Sequence, residues 1–222
     1  MSLQDLHKRY LWIAKNSLEF LKEKGFQKKG MKYFKQKGDF ILRLYPVVPT
    51  PWLNSDNSYT FDIEWNIKTI DKKLIQLAIL MGASENLKEA DLMGTYVVPA
   101  DCEEQVVHLR NKNPPDFDQK YVDGVKRVIE TVILPLFDRI YSLDDIICLA
   151  EEEAKLEKKQ REFFRYGVYE SLAQFYAYKG WKDKTLEMCD KDIEETPITS
   201  QYLVEEDKKK YIKYFDKIKN KK

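Results

Sequence analysis

Apolar positions recur at three- and four-residue steps over Leu3, Leu6, Tyr10, Ile13, Ser17, Phe20 and Leu21. That spacing predicts an amphipathic helix, and Gly25 supplies the left-handed residue that ends one. The texture then changes to strand. Lys32–Lys35 and Phe40–Val48 flank Gln36-Lys37-Gly38-Asp39, a Gly-containing link that predicts a hairpin, with Pro46, Pro49 and Pro51 closing its second strand. Tyr59, Phe61, Ile63, Trp65 and Ile67 alternate with Thr60, Asp62, Glu64, Asn66 and Lys68, the period-two pattern of a half-buried antiparallel strand. Asp71–Leu80 fits a short helix or a strand. Thr95–Val98 and Gln105–Leu109 read as two further strands, followed by a loop containing Pro114 and Pro115.

Beyond that loop the spacing is helical over Tyr121–Tyr141, Leu143–Lys159, Phe163–Lys179, Lys182–Glu194 and Ser200–Ile218. Pro135 is expected to bend or split the first of these, because proline lacks the backbone donor and clashes with the preceding turn. Ser142 and Asp145 have the spacing of a capping pair. Glu151–Glu162, dense in alternating charge, is expected to be a solvated helix face. The fold class that follows is α+β: an antiparallel sheet packed with helices, then an all-helical C-terminal region. The expected division is an α+β domain over residues 1–160 and a helical extension over 161–222 packed on it.

Composition narrows the function classes. Hydrophobic residues make up 43% of the 222, enough for a sizeable core, and 34% are charged. Lys+Arg and Asp+Glu nearly cancel, 38 against 37, so no global field recruits a polyanion and nucleic acid is not the expected partner. Locally the balance is uneven: residues 1–50 hold 11 basic against 4 acidic groups, and residues 51–120 hold 7 against 12. Cys102, Cys148 and Cys189 are widely spaced and odd in number, which reads as reduced thiols in a cytoplasmic protein. Neither a leader peptide nor a membrane-spanning run is expected, and the sequence carries no mark of an oligomeric state.

Three sets of residues carry candidate chemistry. Asp62, Glu64 and Asn66 project from one face of a strand, a spacing that collects oxygen ligands for a hard cation; the competing reading is the wet face of a sheet. On the cation reading the protein is a metal-dependent hydrolase or nuclease, although Asn66 stands where a nuclease pattern wants lysine. Cys102 and His108 would matter only if their side chains met, and an ordinary strand histidine is the expectation. Lys28, Lys29, Lys32 and Tyr33 lie in a lysine run interleaved with aromatics, a texture shared by an RNA-binding hairpin, a docking surface for an acidic protein and a plain edge hairpin. No phosphate loop, dinucleotide fingerprint or paired-histidine helix is present, and no cofactor is expected. Fourteen tyrosines offer rigid contact area for an interface as readily as for a core. Tyr169, Leu172, Ala173, Tyr176, Gly180 and Pro197 have the spacing of one tetratricopeptide-type helical hairpin, a single copy rather than a solenoid.

The run Leu21-Lys-Glu-Lys-Gly25-Phe26-Gln-Lys28-Lys29-Gly30 with Tyr33-Phe34, together with Ile133-Leu-Pro135-Leu-Phe137 through Asp145, resembles the bacterial domain of unknown function 4304 family over residues 1–150. The resemblance implies an α+β fold and a bacterial source, and no catalytic constellation. The lack of catalytic residues leads to the expectation of a non-catalytic protein-binding module whose partner is another protein, and analogy with small families of this texture adds an immunity-inhibitor type.

Overall fold

A computed structural model describes residues 3–47, 50–52, 58–97, 107–109, 115–164 and 167–219. In chain order the elements are α1 (Leu3–Leu18), β1 (Gln27–Lys29), β2 (Lys32–Lys37), β3 (Phe40–Pro46), β4 (Thr50–Trp52), β5 (Ser58–Phe61), β6 (Ile63–Thr69) and α2 (Lys72–Leu80). There follow β7 (Ala90–Tyr96), β8 (Val107–Leu109), α3 (Phe117–Val128), α4 (Leu134–Arg139), α5 (Leu143–Ala154), α6 (Val168–Lys179), α7 (Lys182–Glu195) and α8 (Gln201–Lys219). The fold is α+β, with a five-stranded antiparallel sheet of order β1-β2-β3-β6-β7 and a helical C-terminal region. A second sheet of three strands has the order β4-β5-β8. Among the described residues no helix is long and apolar enough to cross a membrane.

The chain divides into two compact units, one formed by residues 1–37, 41–67 and 95–139, the other by 38–40, 68–94 and 140–222. In the first, α1 buries Leu6, Tyr10, Ile13 and Leu18, the face that its periodicity marks. Arg9 forks onto Asp118 of α3, its Nε 2.8 and 2.6 Å from the two carboxylate oxygens, which ties the two helices together. β6 shows the alternation expected of it: Ile63, Trp65 and Ile67 are buried, while Glu64 and Asn66 are only half-buried. Sealing one isoleucine side chain from water contributes roughly 1.5–3 kcal/mol, so this face fixes the strand's register.

The expected single strand over Tyr59–Ile67 is two strands in two sheets, parted at Asp62. The backbone shows why: the Asp62 carbonyl accepts Val47 N–H at 2.8 Å, while β5 pairs with β4 and β8. Pro51, expected to close a strand, lies within β4. Pro135 does interrupt its helix. A proline nitrogen has no hydrogen for the carbonyl four residues back, and the chain takes a wider π-type turn over Ile129–Ile133 immediately before it.

In the second unit α2 resolves the ambiguous Asp71–Leu80 stretch as a helix. The Asp71 side chain accepts the backbone N–H groups of Lys73 and Leu74, both at 2.9 Å, so an N-cap decides what periodicity leaves open. α5 opens with the capping box of Ser142 and Asp145. α6 and α7 form the helical hairpin that the sequence marks, with Leu172, Ala173 and Tyr176 buried and Gly180 in the left-handed conformation at φ 80°. The charged run Glu151–Glu162, which begins in the last turn of α5, is not a solvated helix face throughout. Glu153 is 5% exposed, and the chain beyond Ala154 leaves the helix and folds back through Arg161 and Glu162. The tyrosines divide between roles: Tyr33, Tyr121, Tyr176 and Tyr211 are core, whereas Tyr141 and Tyr202 are exposed.

Candidate binding site

The lysine-rich stretch after α1 is a strand as well as a turn. Gly25 stops the helical path at φ 83°, Phe26 N–H returns to the Leu21 carbonyl at 3.0 Å, and the next three residues run along β2. The register sets Gln27 opposite Phe34, Lys28 opposite Tyr33 and Lys29 opposite Lys32, so the connection is only Gly30-Met31. Gly30 holds φ 62°, and a Cβ there would meet nothing within 4 Å, so the requirement for glycine is conformational rather than steric. Apolar spacing predicts a hairpin at Gly38 alone, because a strand of three residues has no periodicity to show.

Glu19, at the end of the first helix, organises the charges. Its carboxylate takes the Lys22 ammonium, accepts the Tyr33 hydroxyl at 2.6 Å and accepts Lys28 Nζ at 2.9 Å. The Lys22 contact, then Tyr33 and Lys28, hold the Glu19 carboxyl down to about 2. Its stabilisation is therefore present above the ordinary glutamate range and is lost as pH falls through about 2. Tyr33 is 2% exposed, and burial first and Glu19 second raise its phenol; it belongs to the interior, not to a contact surface. Lys28 lies with its ammonium 5.0 Å from the Tyr33 ring centre, and Tyr33 and Glu19 raise its pKa. A carboxylate at a helix C-terminus opposes the helix dipole, and that misfit is the one signal in the sequence for Glu19 as a hub.

Lys29 and Lys32 are left over. Both are exposed, they stand directly opposite each other, and neither joins an ion pair among the described residues. Lys32 Nζ lies 5.3 Å from the Tyr45 ring centre, a cation–π contact that orients the ammonium without neutralising it. Like charges facing across an antiparallel pair destabilise it, and among the described residues no carboxylate forms an ion pair with either of these two. Met31, at the tip between them, is 38% exposed.

The other candidate set lies on the polar face of β6. Tyr45 of β3 donates its hydroxyl to Glu64 at 2.7 Å, and Asn66 Nδ2 donates back to the Tyr45 oxygen at 3.3 Å. Tyr45, which the sequence does not single out, therefore sits between two of the three residues considered as cation ligands. Asn66 Oδ1 is buried and accepts no hydrogen bond, and Asp62 is half-buried at the start of the same row. Among the described residues no three His, Cys, Asp or Glu side chains form a group able to hold a metal ion. His108 is placed in β8 opposite Thr60, while Cys102 lies outside the described residues.

No protein-family model matches the chain, and no curated protein and no solved structure matches it either.

Proposed function

We propose that this protein is a non-catalytic binding module that holds an acidic partner protein through Lys29 and Lys32. The observation that carries the reading is the exposed, directly opposed lysine pair beside a third lysine that Glu19 already neutralises. Like charges at that register position cost the strand pair stability, and both ammonium groups stay available to a partner that carries carboxylates. Two ammonium groups with an exposed methionine between them offer carboxylates a charged rim around a small apolar contact. Membership of the bacterial domain of unknown function 4304 family, an immunity-type role and a cytoplasmic location belong to the same proposal.

The test is Lys29→Glu. It converts a repulsive cross-strand pair into an attractive one, so the fold gains on the order of 0.2–1 kcal/mol in denaturant unfolding while an acidic partner is lost. Affinity capture from a lysate, with the bound proteins sized and their acidity read by mass spectrometry, follows the second effect. Retention of the same bound proteins by Lys29→Glu, or a fold weakened by it, removes the reading.

A further inference from the structure

We infer that the partner contributes an extended acidic segment that adds as an antiparallel strand on the outer edge of β1; this rests on the acidic-partner reading above. β1 ends the strand order of the five-stranded sheet, so among the described residues no strand pairs with its outer side, and all three of its residues are exposed. The two-residue connection makes Lys29 and Lys32 the pair that exchanges the closing hydrogen bonds of the turn. Antiparallel pairs alternate between bonded and non-bonded, so the next pair, Lys28 with Tyr33, is non-bonded. Lys28 therefore directs its own N–H and C=O away from β2. One residue presenting both groups outward is half of a complete antiparallel hydrogen-bonded pair, and a single residue of an incoming strand supplies the other half.

Charge chooses the occupant. Lys29, next to Lys28 in β1, and Lys32 opposite it carry the unpaired charge on the face of Tyr45, while Lys28, on the face of Tyr33, is already paired with Glu19. Lysines on a sheet edge repel a neutral apolar or basic strand, which is how edges are kept from aggregating. The same lysines favour a strand whose side chains carry carboxylates, because its residues flanking the bonded position fall beside Lys29 while its main chain meets Lys28. The edge is thus guarded against strands in general and open to acidic ones.

The probe is a capped synthetic peptide of about twelve residues alternating glutamate with threonine, titrated at low salt into the whole protein, with the lysine–threonine counterpart as control. The acidic peptide is expected to bind and to slow hydrogen exchange at the Lys28 amide, while the basic peptide does not bind. Lys28→Pro removes the outward N–H and leaves the β1–β2 bonds intact, a position where a strand tolerates proline, and it is expected to weaken binding at least about tenfold. Lys28→Ala, which loses the ammonium but keeps the amide, is expected to bind several-fold more tightly than Lys28→Pro. Equal binding by the two variants with Lys28 exchange unchanged in the wild-type complex, or no binding of the acidic peptide at millimolar concentration, overturns strand addition and leaves the acidic-partner reading standing. Binding that ignores Lys29→Glu overturns both.

Discussion

Replacing Arg161 by alanine is expected to destabilise the helical unit by roughly 2–4 kcal/mol, measured as a fall in the denaturant midpoint. Its guanidinium clamps Glu195 at the end of α7, with Nη1 2.6 Å from one carboxylate oxygen and Nη2 2.8 Å from the other. The same group donates Nε to the Leu156 carbonyl at 3.2 Å and lies over the Tyr169 ring at 4.9 Å. The arginine side chain is 9% exposed and that of its partner 30%, so truncation strands a carboxylate that reaches water only in part. A lysine in its place would keep the charge but not the planar fork, and Arg161→Lys is expected to recover less than half of the loss. Acid titration gives an independent readout. Arg161 holds the Glu195 carboxyl below its ordinary value of 4.5, so the pair stabilises the fold above that value and the contribution is lost as pH falls through the lowered one. Arg161→Ala is expected to flatten that acid limb, and Glu195→Gln to flatten it equally, with the double variant no worse than the sum of the two.

The helices whose apolar spacing is strong are legible in the sequence, and so are the buried positions Ile63, Trp65 and Ile67 of β6. What periodicity cannot give are the decisions made by single residues. Asp71 turns an ambiguous stretch into a helix by capping it, and Asp62 divides one alternating run between two sheets through a carbonyl bond to Val47. Short strands escape for a related reason: Gln27–Lys29 has three exposed residues and no alternation, so only its partner β2 defines it as a strand.

The candidate site is legible in part. Residue type and charge density point at Lys28, Lys29, Lys32 and Tyr33, but the sequence cannot say which lysines are already neutralised. The register and the Glu19 carboxylate make that division, leaving Lys29 and Lys32 outward and drawing Tyr33 inward. Likewise the charged run Glu151–Glu162 looks uniform, because acidic residues on a helix end do not announce which one the chain folds over. In the structure Glu151 receives the Tyr176 hydroxyl, Glu152 pairs with Lys155, and only Glu153 turns inside.

Glu153 should give the protein a stability that falls as pH rises above the ordinary glutamate range. The carboxylate is 5% exposed, and its Oε1 accepts the backbone N–H groups of Glu162 at 2.9 Å and Phe163 at 2.8 Å while Oε2 is buried without a hydrogen bond. Burial pushes the carboxyl up and outweighs the backbone N–H groups that pull it down; the nearby Glu162 charge adds to the rise. A raised folded-state value means that the folded chain binds the proton more tightly than the unfolded one. The stabilisation is therefore complete below the ordinary value of 4.5 and is lost as pH climbs from there through the raised value. Glu153→Gln keeps an oxygen for the two N–H groups and cannot ionise, so its midpoint, compared with that of the wild type, is expected to improve steadily with pH across that window. Glu153→Ala removes the acceptor altogether and is expected to cost about 2–3 kcal/mol at every pH, since two part-buried N–H groups lose their partner. The Phe163 carbonyl and Phe164 lie against Gly94 at the edge of β7, where Gly94 N–H reaches that carbonyl at 2.8 Å. Freeing the segment should therefore speed hydrogen exchange at the Gly94 amide in Glu153→Ala and leave it unchanged in Glu153→Gln; equal exchange in both would show that Glu153 does not hold the segment in place.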